Sequence, residues 1–400
     1  MSAAGPLLDA GRITALPGLL AELGADAWLL YDFQDRSPVA HTLLGLGHTT
    51  RRGFALFPAE GPPVALCHPV DLPAWAPWPW ELRRYTQRYE FEAGLRALLG
   101  GARIVAMEVS PGSAIPTLDL VPAGIVGVLE GLGVRVISSG DLVTAFHARW
   151  SEHGLDLHRA AARVVRSVAH EALRLAARSA RGPAPFAEAE LRDWIRARLR
   201  EEGLTEQEDA IVAVGPSSAD PHYEPEGVGA PILADALVLV DLWGAFSGGV
   251  PADQTWMGYL GAAPPDDVRE VWGAVRDARD GALAFLEERA HARRDVRGYE
   301  VDAVARASLR STGFDDAFVH RLGHSIDTQL HGSGPNLDDF ETRDERRLLP
   351  GVGFSVEPGV YLPGRFGVRS EVNVFWGESG PEVTPSEIQR DLLLLDGSEP

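Results

Sequence analysis

Apolar and polar residues alternate along this chain with two periods, and the dominant period changes near residue 150. In "LPGLLAELGADAWLLYDF" the leucine spacing predicts an amphipathic helix, a glycine stop and then a buried strand. "RRGFALFPAEGPPVALCHPV" reads as two strands joined by a turn at Gly61-Pro62-Pro63. "ARIVAMEVS" and "VRVISSGDLV" give further strands, with helix between them around residues 114–131. Strands alternating with helices predict a compact α/β domain with a largely parallel sheet over residues 1–150.

From Ser151, a good N-cap, "LDLHRAAARVVRSVAHEALRLAARSARG" carries apolar residues at helical spacing, and "PFAEAELRDWIRARLREEG" gives a second helix ending at Gly203. His158 and His170 on the first of these helices read as structural or exposed. Strands follow in "AIVAVGPSS", "ALVLVDLWGAFSGG" and "QTWMGYLG", then helices over roughly 264–290 and 299–312. Strands return in "AFVHRLGH", "GVGFSVEPGVY" and "VRSEVNVFW". This order hints at two similar halves within a second domain, 151–400. There is no tandem repeat and no low-complexity segment. "WAPWPWELRRY", with Trp75, Trp78 and Trp80, reads as packing or a subunit contact.

Composition narrows the function. A length of 400 residues, 45% hydrophobic and 24% charged, fits a globular protein of two domains. The formal charge of −20 argues against a nucleic-acid surface. All 37 basic residues are arginine, so neither a lysine Schiff base nor a phosphate-loop lysine can form. Cys67 is the single cysteine, which removes intrachain disulfides and thiolate metal clusters and suits a reducing cytoplasm. No cleavable leader and no long apolar run is visible, so neither export nor a membrane partner is expected.

Chemistry concentrates in the strand-rich part. Asp241 ends the apolar run "ALVLVD", where an acid is costly unless paired or bound to a cation. Asp253 follows after a glycine-rich turn that can bring the two acids to one end of a hairpin. Spacing alone leaves open whether both converge or one is an ordinary turn acid. Glu357 in "FSVEPGVY" and Glu371 in "VRSEVNV" repeat the pattern around "PGVYLPGRFG". "HRLGHSIDTQLH" adds three of the chain's 12 histidines. Two aspartates, two glutamates and one imidazole make a ligand set for two divalent ions, Mn2+, Co2+, Zn2+ or Fe2+ rather than copper.

The stretches "VDLWG", "ADQTW", "HRLGHSIDTQLH", "SVEPGVY" and "VRSEVNV" resemble the pita-bread metallopeptidases, which include methionine aminopeptidases, Xaa-Pro aminopeptidases and prolidases. The resemblance covers most of residues 150 to 390. It implies a creatinase-like N-terminal α/β domain, then an α+β pita-bread domain with pseudo-twofold halves. It implies that Asp241 holds one ion and His324 the other, that Asp253 and Glu371 bridge them, and that Glu357 binds on the His324 side. A hydroxide between the ions would be the nucleophile, with Glu357 as proton shuttle. His331 would hydrogen-bond the scissile carbonyl or its oxyanion, His320 would line the proline pocket, and His222 would lie over the substrate. Arg369 would orient the site and touch substrate, and Thr255 would hydrogen-bond a ligand.

Against the family pattern, Trp243 looks inserted between the aspartates, where a bulge could absorb it. "GHSID" replaces a glycine-rich sequence, Gly332 stands where glutamate is common, and Val372 where aspartate often follows the last ligand. The resemblance implies hydrolysis of Xaa-Pro dipeptides with Mn2+ as the foremost metal, by a homodimer, and the lone cysteine and absent leader make the cytoplasm its expected location. The alternatives are a Xaa-Pro aminopeptidase acting on longer peptides and a non-hydrolytic binding module, which would be expected to have lost ligands. A dipeptidase needs a cation for the free carboxylate, for which Arg343, Arg51 and Arg52 are candidates.

Overall fold

The computed structural model describes residues 5, 7, 13–205 and 209–397. It divides after His147 into two compact units. The first contains α1 (Leu16–Leu23), β1 (Ala27–Asp32), α2 (Pro38–Leu44), β2 (Gly53–Pro58), β3 (Val64–Cys67), β4 (Glu81–Arg84), α3 (Arg88–Leu99), β5 (Ile104–Met107), α4 (Ala123–Gly131), β6 (Arg135–Ser138) and α5 (Gly140–Phe146). The helix expected from residue 114 begins only at 123. Short 3-10 turns at Pro111–Ser113 and Pro116–Leu118 occupy the rest, because prolines inside a helix remove its hydrogen bonds.

Six strands form one sheet in the order β4-β3-β2-β1-β5-β6. It is less parallel than expected: β2 runs antiparallel to both β1 and β3, while the other pairs are parallel. The Gly-Pro-Pro turn after β2 is too short for a crossover and can only make a hairpin. Helices cover both faces. Leu16, Leu20, Leu43 and Leu142 pack with Trp28 and Leu30 on one side; Leu95, Leu98, Ile125 and Leu129 pack with Leu29 and Tyr31 on the other. Burial on two faces explains the unbroken apolar run of β1. Trp75 and Trp78 are buried, edge-on to each other at 6.0 Å, and Trp78 meets Phe57 at 5.7 Å, so this loop is packing.

The second unit repeats one plan. Two helices, α6 (Glu152–Ser179) and α7 (Glu188–Glu201), precede β7 (Ile211–Val214), β8 (Leu237–Gly244) and β9 (Ala252–Tyr259). Two more, α8 (Asp266–His291) and α9 (Gly298–Ser311), precede β10 (Ser325–Ile326), β11 (Val352–Val356), β12 (Gly359–Leu362), β13 (Phe366–Arg369), β14 (Val372–Gly377) and β15 (Gly380–Thr384). A short β16 (Leu393–Leu394) returns to pair with β9. The sheets are β16-β9-β8-β7, β10-β11-β14-β15 and β12-β13. The first helix pair packs on the first sheet through Val165, Leu173, Leu191 and Ile195, and the second packs through Val271, Val275, Val301 and Leu309. The oxygen of Ser151 caps α6 by accepting from Gly154 N, and Gly203, at φ +85°, follows α7.

Two strand expectations change. "AFVHRLGH" is irregular, with strand beginning only beyond it at Ser325–Ile326, and "VRSEVNVFW" breaks between β13 and β14. Opposite that break lies Pro358, which has no N–H for the ladder; its carbonyl still accepts from Ser370 N at 3.2 Å.

Candidate metal centre

Register brings the carboxylates together. Asp241 lies opposite Thr255, and Asp253 opposite Trp243. Residues two apart share a sheet face, so both aspartates project from one face a diagonal step apart. The ladder is unbroken from Leu237↔Tyr259 to Gly244↔Ala252. Trp243 is therefore not taken up in a bulge as expected; residues 245–251, outside the ladder, absorb any extra length.

In the second hairpin, Val356↔Val372 is the last pair before the Pro358 break and Gly359↔Arg369 the first beyond it. The register is the same on both sides, so Glu357 and Glu371 face each other across the break. His324 arrives along β11: Ser355 N donates to His324 O at 2.9 Å, and Glu357 N to Leu322 O at 2.8 Å. A Cβ on Gly323 would stand 1.9 Å from Ser355 O, so only glycine permits this approach. The Ser355 hydroxyl accepts from His324 N at 2.9 Å and donates to Glu357 Oε1 at 2.9 Å, tying the two side chains together.

All five residues line one cavity of about 370 Å3. Ligand atoms of Asp253, His324 and Glu371 lie within 4.8 Å of one another. A carbonyl can only accept, so His324 Nδ1 donates to Ser325 O at 3.1 Å. That leaves Nε2 facing Asp253 Oδ2 at 3.3 Å and Glu357 Oε1 at 3.5 Å. Asp253 Oδ1 and Glu371 Oε1 are buried with no hydrogen-bond partner among the described residues. Buried anionic oxygens left unpaired are costly, and a divalent cation is the partner that suits oxygens and one imidazole together.

The electrostatics agree. Burial, with added charge from Asp253 and Glu357, raises Asp241 to about 7 despite its ion pair with Arg369 Nη2. Burial and the surrounding carboxylates hold Glu371 well above the usual range. Burial would also raise Glu357, but His324, His320 and Arg369 bring it below the ordinary value. For His324, burial opposes the charge, and Asp253 and Glu357 outweigh it, so its pKa is raised. A bound cation removes the repulsion behind these upward carboxylate shifts.

His222, His320, His331 and Arg369 line the same cavity. The His331 ring is 4.6 Å from that of His324, and both His331 and His222 are exposed. His320 has both nitrogens engaged: Nδ1 donates to Arg321 O at 2.7 Å, and Nε2 accepts from the Tyr361 hydroxyl at 2.9 Å. Burial lowers its pKa, so it is a neutral wall. Arg369 Nε donates to Thr255 Oγ1 at 2.8 Å, and that hydroxyl lies 3.0 Å from Asp241 Oδ1 and 2.9 Å from Glu371 Oε2.

Arg343 is not brought to the cavity. It is exposed, paired with Asp339 at 2.9 Å and Glu345 at 3.3 Å, and stacked on Tyr299. Acids within a few residues capture it locally. Arg51 and Arg52 belong to the first unit. The departures from the family pattern have packing reasons: a Cβ on Gly332 would stand 2.8 Å from Asp327 N, and Val372 is buried in the core.

Sequence reasoning missed three residues here and read a fourth, Trp243, only as an insertion. Tyr361 closes the "EPGVY" motif. Asn373, two after Glu371 on the same face, accepts from Asp253 N at 2.8 Å. Arg321 lines the cavity without a carboxylate partner among the described residues. Trp243 also lines it, with its buried indole N–H unpartnered among the described residues. The period-2 pattern could have flagged Asn373; nothing local marks the others.

Fold and site together define a metal-dependent hydrolase. Residues 156–378 match the model of metallopeptidase family M24, and the chain belongs to that family. It shares 29% identity with the probable dipeptidase PepE of Mycobacterium bovis over 304 residues, 75% of this chain and 72% of that one. A Xaa-Pro dipeptidase of Lactobacillus delbrueckii subsp. lactis is 32% identical over 163 residues, 41% of this chain and 40% of the relative. The crystal structure of dipeptidase PepE from Mycobacterium ulcerans superposes with a TM-score of 0.73 at 23% identity, covering 97% of this chain and 98% of that one. At that identity it shows the pita-bread fold. Family membership makes divalent metal part of the working site. Among the described residues, no helix is long and apolar enough to cross a membrane.

Proposed function

We propose that this chain hydrolyses the bond before a proline in second position, chiefly in dipeptides, with two divalent ions, foremost Mn2+, held by Asp241, Asp253, His324, Glu357 and Glu371. The observation that carries this reading is the convergence of unpartnered Asp253 Oδ1 and Glu371 Oε1 on the cavity faced by His324 Nε2. The relatives named as dipeptidases support the substrate class. Ions bound there would lower the pKa of a water toward neutrality and polarise the scissile carbonyl.

Around that chemistry the protein's own groups have distinct tasks. Glu357, held by Ser355 and kept ionised by the cations around it, takes a proton from water and returns it to the departing nitrogen. His331, beside His324 at the open side, donates to the developing oxyanion, and His222 lies over the substrate from the mouth. His320, neutral and fixed by Tyr361, presents a flat wall to the proline ring. Arg369 positions Asp241 and Thr255. Arg321 takes the role of carboxylate clamp in place of Arg343, because it is the lining guanidinium without an acid partner among the described residues. A creatinase-like first domain, cytoplasmic residence and a homodimer complete the proposal, supported by the lone buried cysteine and by resemblance to the proline-specific members.

The test is a paired assay of Mn2+-loaded protein against an EDTA control, measuring proline release from Ala-Pro and alanine release from Ala-Pro-Ala. Metal-dependent cleavage confined to Ala-Pro is expected. Equal or faster tripeptide cleavage makes the chain an aminopeptidase, and no metal-dependent cleavage of either ends the reading. Arg321→Ala is expected to raise KM for Ala-Pro by about 10–100-fold, the effect of removing one charge-assisted hydrogen bond.

A further inference from the structure

The first unit contains a cavity of about 740 Å3 with the opposite charge. Arg36, Arg51, Arg52, Arg88 and His68 line it, and no carboxylate among the described residues does. In a chain with 57 acids against 37 arginines, that grouping is not what composition would deliver. Its place is also specific. β1, β3 and β4 run in one direction, and Arg36, His68 and Arg88 lie just beyond their carboxyl ends; Arg51 and Arg52 precede the antiparallel β2. The crevice outside the carboxyl ends of parallel strands is where open α/β sheets bind ligands. Arg88 opens α3 and Pro122 precedes α4, so the positive ends of two helices add to the field there.

Nearby acids do not neutralise these cations because they hold the loops instead. Asp71 accepts from Thr50 N at 3.0 Å and Arg51 N at 2.6 Å. Glu90 accepts from Thr86 N at 2.8 Å and Gln87 N at 3.1 Å. Asp35 accepts from Thr49 N at 2.7 Å, and Asp32 from Ser37 N at 2.9 Å. Among the described residues none of the four guanidiniums pairs with a carboxylate. Arg52 instead lies 4.0 Å over the Phe91 ring and Arg36 5.6 Å over Phe33, an arrangement that leaves the N–H edges available. His68 Nδ1 accepts from Val70 N at 3.3 Å, which places its ring N–H on Nε2.

We propose that this cavity binds a small ligand through a phosphate or diphosphate group. A single carboxylate offsets one charge, whereas this set suits several oxygens carrying more than one negative charge, read by planar guanidinium forks. The site uses no residue of the metal centre, so it stands or falls separately from the proposed peptidase activity.

The test titrates inorganic pyrophosphate into the metal-free full-length protein by calorimetry; in that form the acidic cavity of the other unit repels the anion. Saturable binding of one pyrophosphate per chain is expected. Arg36→Glu together with Arg88→Glu should weaken it about 100-fold or more, because each substitution removes a charge-assisted hydrogen bond to the anion. Both side chains are exposed, and a glutamate in the first turn of α3 suits the helix dipole. If the double variant does not fold, Arg88→Gln alone, expected to weaken binding about tenfold, carries the test. No saturable binding, an affinity unmoved by the substitutions, or acetate binding as tightly as pyrophosphate would each overturn the proposal.

Discussion

The two cavities solve opposite charge problems by the same means. In the second unit five carboxylates line the space, and Arg369 is committed to Asp241 and Thr255. In the first unit four guanidiniums line it, and Asp71 and Glu90 are committed to backbone amides. In each case the nearby counter-charge builds the wall rather than filling the cavity. The unpaired groups are what the two proposals rest on: buried carboxylate oxygens for cations in one, guanidiniums for an anion in the other. A surface salt bridge carries no such information, since exposed pairs contribute little either way.

The largest effects are expected at the proposed metal ligands. His324→Ala and Asp253→Asn are expected to lower kcat/KM for Ala-Pro with saturating Mn2+ by roughly 1000-fold or more, since the metal contributes several kcal/mol to the transition state. Glu371→Gln sharpens the point. Burial and the surrounding carboxylates already disfavour its charge without metal, so the amide should leave metal-free stability within about 1 kcal/mol while abolishing the Mn2+-dependent rise in melting temperature. A variant that still gains stability from Mn2+ removes Glu371 from the ligand set.

Arg369→Met leaves Asp241 buried without its partner. An expected loss of about 3–5 kcal/mol in denaturant unfolding of the metal-free protein follows, and Mn2+ should restore part of it by taking over that charge. Unchanged metal-free stability would contradict the role given to Arg369.

A smaller effect concerns the buried His158. His158 donates from Nδ1 to Pro251 O at 2.9 Å and accepts at Nε2 from the Thr384 hydroxyl at 2.7 Å; burial lowers its pKa to about 4. The unfolded chain takes up that proton near pH 6.5 and the folded chain only near 4. Its contribution is therefore complete above about pH 6.5 and falls by about 3 kcal/mol as pH drops through that window. His158→Gln should flatten this part of the stability profile, and an identical profile would refute it. Smallest of all, Tyr361→Phe removes the donor to His320 Nε2 and should cost about fivefold in kcat/KM for Ala-Pro, about 1 kcal/mol; an unchanged value would free His320 from its fixed role.

Much of the fold and site is legible in the sequence because strand registers follow from alternation. Asp241 in "ALVLVD" and Glu371 in "VRSEVNV" sit at positions where a buried acid contradicts its neighbours, which marks both hairpins. What alternation cannot show is the cost of a missing N–H at Pro358, or a backbone approach that only Gly323 permits, and so the histidine segment reads as a strand. Arg343 misleads for a related reason. A sequence shows a guanidinium but not that Asp339 and Glu345 lie close enough to hold it, whereas nothing in the sequence singles out Arg321 beside its candidate histidine. The cationic cavity is invisible at that level because its arginines come from separate loops that only the sheet brings together.

The most direct measurement is anomalous X-ray scattering from crystals of the full chain soaked in Mn2+, with the Glu371→Gln variant beside it. The expected result is manganese in the second unit's cavity, where Asp241, Asp253, His324, Glu357 and Glu371 would hold it, and loss or disruption of that density in the variant. Manganese absent from that cavity, or bound there without Glu371, would contradict it.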